Sequence, residues 1–166
     1  RLTEPTGLLD GKVSTKKSIA SERFPFVYPD GAHFDAEALF VHPTTGRVYV
    51  VTKEGQGERS HLFRFPSPMD SSTTATLEAL GKLSVPTDTQ PPVTAADVSP
   101  SGRSVLIRMG LITVEYRVTG AFDDFKDLTP VVVPTVTEPQ GEAVAYLADG
   151  LGFVTSTELA GGPPLD

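Results

Sequence analysis

Glu37 and Glu142 hold the same place in two copies of a repeated phrase, Asp35-Ala-Glu-Ala-Leu and Gln140-Gly-Glu-Ala-Val. Thr94 takes that place in a third copy, Val93-Thr-Ala-Ala-Asp97. Carboxylates that recur at the head of a short strand can converge and offer hard oxygen ligands to Ca2+ or a similar cation. Equally, each can accept backbone N–H groups from a neighbouring strand and fix how one repeat sits on the next. A second set of charges, Lys53, Arg108 and Glu158, lies near the ends of the β-rich runs that follow. Cation beside acid suggests two pairs, Lys53 with Glu37 and Arg108 with Asp97, which act as registry devices where they are buried. In the third copy Glu158 faces Glu142 with no cation of its own, and two close carboxylates repel, shift one proton affinity or recruit a cation. Asp35, Glu37, Glu142 and Glu158 are therefore the expected Ca2+ ligands, and Lys53, Asp97 and Arg108 the expected ligand-binding residues.

Other chemistries find less in the chain. His33, His42 and His61 show no metal-ligand spacing and read as solvated side chains. There is no Gly-x-Ser-x-Gly turn and no Ser/His/Asp arrangement picked out by chain order. No phosphate-cradling glycine loop occurs. The run Asp123-Asp-Phe-Lys-Asp127 lacks the alternating ligands of an EF-hand and reads as a solvated loop between strands. Cysteine is absent, which removes disulfides, thiolate metal sites and a thiol nucleophile.

A net charge of −7 and no basic run longer than Lys16-Lys17 argue against nucleic acid and anionic membrane surfaces as partners. No apolar run approaches the ~20 residues of a membrane-spanning helix. With 39% hydrophobic residues in 166, the chain can bury a core.

The elements that must carry these residues are short strands. Alternating apolar residues predict strands near 24–28, 37–42, 47–53, 61–65 and 76–83, and the order then starts again near 93–99, 103–108, 112–118 and 130–133. Strands near 141–147 and 152–157 begin a third set. A hairpin that recurs every roughly 50 residues is the mark of a repeat architecture, and four antiparallel strands per unit make a propeller blade. The expected fold is all-β: a β-propeller with four-stranded antiparallel blades, of which this chain is about half of a six- or seven-bladed ring. Residues 1–23 read as a loop after a missing strand, and 24–85, 86–134 and 135–166 as the repeats. Residues 24–28 would be the outer strand of a blade that begins upstream. The inner strands near 37–42, 93–99 and 141–147 are expected side by side around a common axis, within one sheet.

At Tyr28-Pro-Asp-Gly, Asp35-Ala-Glu-Ala-Leu, Val50-Val-Thr-Lys53, Val93-Thr-Ala-Ala-Asp97, Gln140-Gly-Glu-Ala-Val and Ser156-Thr-Glu158 the chain resembles a family of mostly uncharacterised, often exported bacterial β-propeller proteins. These phrases stand in the second half of such proteins, and the resemblance implies an extracellular or cell-envelope setting. It carries no activity over. Two functions stay open: a non-catalytic scaffold that presents its loops to a protein or glycan, with a cation in an acidic funnel, or a metal-assisted hydrolase of the phosphoesterase or lactonase kind. In either case broken blades at both ends imply a partner that supplies the remaining blades. A second chain cut from the same precursor is the preferred expectation, and a second copy the other.

Overall fold

The computed structural model describes residues 20–85, 91–138 and 140–158. Among these residues twelve strands form in chain order: β1 (Phe26–Val27), β2 (Ala36–Val41), β3 (Val48–Thr52), β4 (His61–Arg64), β5 (Ala75–Thr76), β6 (Glu78–Lys82), β7 (Val93–Val98), β8 (Ser104–Met109), β9 (Ile112–Arg117), β10 (Val131–Val133), β11 (Gly141–Tyr146) and β12 (Phe153–Thr157). The fold is all-β, as the two-residue periodicity requires. β2-β3-β4-β6 make a first antiparallel sheet, β7-β8-β9-β10 a second, and the hairpin β11-β12 a third. The turn that closes each leading hairpin needs a left-handed residue, and all three supply glycine, Gly46, Gly102 and Gly150, with φ of 66°, 69° and 70°.

The leading strands do not share a sheet, contrary to expectation. β2, β7 and β11 each begin a separate sheet and pack against one another in that order. Strand alternation explains why. Each sheet has two faces to bury, and a sheet face is covered by a second sheet laid upon it rather than by a strand added at its edge.

The alternation also fixes which faces meet. Ala38, Phe40, Tyr49, Val51 and Leu62 of the first sheet pack on Val98, Val105, Ile107, Val114 and Tyr116 of the second, a dry apolar seam that holds most of the core. The opposite face of the second sheet carries Asp97, Arg108, Thr113 and Glu115 beside Leu106, and meets the third sheet through a seam of mainly polar contacts. The two seams are chemically unlike.

Two further expectations need correction, and the blade expected upstream of 24–28 lies outside the described residues. The segment near 24–28 belongs to a separate two-stranded sheet. It pairs in parallel with β5, and Phe26, Tyr28 and Phe34 cover Val50, Phe63 and Leu77 on the outer half of the first sheet. Edge-to-face ring contacts fix it there, Phe26 on Phe65 at 4.5 Å and Tyr28 on Phe63 at 5.0 Å. Asp123–Asp127 is not a solvated loop. It lies within a 3-10 helix, Phe122–Asp127, whose Phe125 is fully buried between the first two sheets against Phe40 and Tyr116. Nor is His42 solvated: its Nδ1 accepts the N–H groups of Thr44 and Thr45 at 3.3 Å, and its ring stacks edge-on to Phe122.

Since Phe125 closes the apolar seam from the side, Phe125→Ala should lower stability by about 3–5 kcal/mol, the usual cost of deleting a buried aromatic ring. Urea denaturation measures this; a loss near zero would mean that the helix only rests on the surface.

Candidate functional site

Each leading strand carries a β-bulge at the same place. The register slips between Ala36 and Ala38, between Val93 and Ala95, and between Gly141 and Ala143. The residue left over in each case is Glu37, Thr94 or Glu142, the three positions that the repeated phrase singles out. A bulge turns its extra residue away from the regular alternation and re-aims the side chain. Thr94 and Glu142 thereby line an open cleft of about 220 Å³ with Lys53, Leu111, Gln140 and Gly141.

Lys53 sets the electrostatics of this end. Its Nζ donates to Glu37 Oε1 at 2.7 Å, both side chains being about one-third exposed. That hydrogen bond, opposed by partial burial and aided by the charges of Glu37, Asp35 and Glu142, raises the ammonium above its ordinary pKa. One lysine thus stands within the field of three carboxylates. Glu158 stands apart: it is exposed, its carboxylate accepts from Gln140 Nε2 at 3.3 Å, and its N–H donates to Gln140 O at 2.9 Å. Among the described residues no three His, Cys, Asp or Glu side chains come together as metal ligands, so Asp35, Glu37, Glu142 and Glu158 do not form a joint donor set.

Arg108 occupies another part of the molecule. It is the cross-strand partner of Ala95, the place that Val51 holds opposite Ala38 and Ser156 opposite Ala143, so it lies inside its strand rather than at the end. The residues equivalent to Lys53 are Gly110 and Glu158. Arg108 is 0% exposed, and its Nε donates to Gly110 O at 2.9 Å while Nη1 donates to Thr113 Oγ1 at 3.3 Å. These bonds draw the guanidinium towards the turn and away from Asp97, which lies two residues further along. Its charge partner is Glu138, with Nη2 and Oε2 at 2.8 Å. These two buried atoms form an ion pair without a hydrogen bond. Glu138 is fixed from the other side by Thr155, whose Oγ1 donates to Oε1 at 2.9 Å.

Gly141 completes this arrangement. A Cβ at that position would lie 2.0 Å from Arg108 Nη2 and 2.3 Å from Nε, so the guanidinium rests directly on the bare Cα. Thr94 Oγ1 donates to Gly141 O at 2.7 Å from the same side. Asp97, for its part, accepts the N–H of Tyr146 at 2.7 Å, and the Tyr146 hydroxyl donates to Glu115 at 3.0 Å. Lys53 and Glu37 therefore come together as a pair, whereas Arg108 and Asp97 serve the second seam separately. Glu138, Tyr146 and Glu115 were missed by sequence reasoning. Glu138 had left a signal: it is an isolated acid in the uncharged linker Val133-Pro-Thr-Val-Thr137, three residues before a glycine where the first two repeats carry Ala36 and Val93.

No model of a known protein family matches the chain, and no curated protein matches it.

Removing one member of a buried ion pair strands the other, so Glu138→Ala should cost about 3–5 kcal/mol in urea denaturation, and the double variant Arg108→Met/Glu138→Leu should recover most of that loss. Equal losses in the single and double variants would show that packing, not stranded charge, sets the cost.

All four tyrosines are held above their ordinary pKa, Tyr28, Tyr49, Tyr116 and Tyr146 alike, and burial is the largest cause for each. A raised folded value means that this contribution to stability is intact below the unfolded pKa of about 10 and is lost as pH rises through the folded values. Tyrosinate absorbance at alkaline pH should therefore rise together with the loss of the β-sheet circular dichroism signal. Tyrosine ionisation well before unfolding would contradict this.

Proposed function

We propose that the chain is a non-catalytic binding scaffold of the β-propeller kind, contributing about half of a six- or seven-bladed ring, with its ligand site in the cleft at the bulged ends of β7 and β11. The observation that carries this reading is the coincidence of the three bulges. Two four-stranded antiparallel sheets and a third hairpin, laid face to face with their leading strands in contact, support the architecture. Rim positions marked by bulges are where β-proteins commonly place recognition residues.

The chemistry of the cleft favours binding over catalysis. An ammonium already paired to Glu37, a primary amide at Gln140, a carboxylate at Glu142 and the apolar side of Leu111 form a set of donors and acceptors around an apolar patch. Such a set suits a hydroxyl-rich or peptide-like group. At about 220 Å³ the cleft accommodates one sugar ring or one side chain. It is smaller than the roughly 300–1,000 Å³ of pockets that enclose a whole small molecule. The metal-assisted hydrolase reading finds no group of three His, Cys, Asp or Glu side chains among the described residues. The resemblance to exported proteins supports an extracellular or cell-envelope setting. Among the described residues, no helix is long and apolar enough to cross a membrane.

Glycan and peptide arrays probed with the labelled chain test the site directly. Any ligand retained by the wild type should bind at least about tenfold more weakly to Glu142→Gln, because a charge-assisted hydrogen bond contributes about 1.5–3 kcal/mol. Undiminished binding by Glu142→Gln and by Lys53→Met would move the site away from this cleft.

A further inference from the structure

We infer that the two end faces of the sheet stack dock on each other between copies of this chain, head to tail. The inference rests on the repeat reading above and names the partner: a second copy. Aligning the three bulges makes Leu39 and Val41 equivalent to Ala96 and Val98, and to Val144 and Tyr146. It likewise makes Ala38 and Phe40 equivalent to Ala95 and Asp97, and to Ala143 and Ala145. Both seams therefore obey one rule. The Ala38 face of each sheet lies on the Leu39 face of the next.

Under that rule two faces are left over. At one end Leu39 and Val41 are 56% and 47% exposed, although their equivalents Val98 and Val144 are buried at 7% and 6%. At the other end Ala143 and Ala145 are exposed beside Val154, which is 54% exposed. The outer half of the first face is already covered by Phe26, Tyr28 and Phe34. What stays open is the strip along β2, and in both existing seams the leading strands make the contact. The two strips also match in size and charge. Ala143 and Ala145 would meet Leu39 and Val41, small against large, as Ala96 and Val98 meet Ala38 and Phe40 in the first seam, and no charged side chain stands in either strip.

Such a contact joins two different surfaces, so it is heterologous and either closes into a ring or extends. Sedimentation of the full chain should give a mass that rises with concentration above the 17.7 kDa monomer. Leu39→Lys and Val154→Lys each block one end in every copy, so each alone should remain a monomer. An equimolar mixture keeps one intact face of each kind and should form a dimer that grows no further. Circular dichroism must match the wild type in both; the milder pair Leu39→Thr and Val154→Thr should weaken association in the same sense. A monomeric wild type, association unchanged by either lysine, or no dimer on mixing would each overturn the docking. The cleft would then still stand or fall on its own ligand measurements.

Discussion

A guanidinium sealed from water must find compensation for its lost hydration on every side, and Arg108 imposes that demand on the middle of the molecule. Part is met within its own sheet, by Gly110 O and Thr113 Oγ1. The rest comes from the linker into the third hairpin, which supplies the Glu138 carboxylate, and from that hairpin's first residue, a glycine flat enough to lie against the charge. The position of the third hairpin follows from this. Its first residue is Gly141, its bulge begins there, and its second strand sends Thr155 back to steady Glu138. Buried pairs of this kind contribute little net stability beside an apolar filling of the same shape; their attested use is to specify one arrangement among several. In this chain, the arrangement specified is the register of β11 on β7, which Asp97 reinforces through the Tyr146 N–H.

That register is also what assembles the candidate site. Thr94 both lines the cleft and fastens Gly141, so the cleft wall and the buried charge are linked through one backbone carbonyl. The first sheet contributes Lys53, whose pairing with Glu37 leaves the rim with a compensated charge. Lys53 and Glu37 thus meet as a pair at the rim, as their shared repeat position suggested.

Much of the architecture was legible because strand alternation and turn glycines act locally. Every predicted strand of the second and third sheets forms within a residue or two of its expected place, and the shared position of Glu37, Thr94 and Glu142 proves to be a shared bulge. What the sequence hid depends on distance along the chain. Arg108 finds Glu138 thirty residues away, across a seam whose existence depends on how sheets stack, and nothing local distinguishes it from a strand-end charge such as Lys53. Phe125 was hidden by its neighbours, since four charged residues around one ring give a segment the composition of a solvated loop while the ring alone decides where it packs. The pairing of the Phe26 segment with β5 was hidden for a related reason: alternation marks a strand but does not say which strand will receive it.

The unlike seams give the molecule two kinds of joint. The first is sealed by oil-like contacts, which fade on cooling and tighten in strongly hydrated salts such as sulfate. The second is sealed by directed polar contacts, which such conditions leave largely untouched but which fail together once water reaches any one of them, because each holds the geometry of the next. This chain thus has an inner clasp made of apolar side chains and an outer one made of charges and hydrogen bonds, each answering to a different property of the solvent.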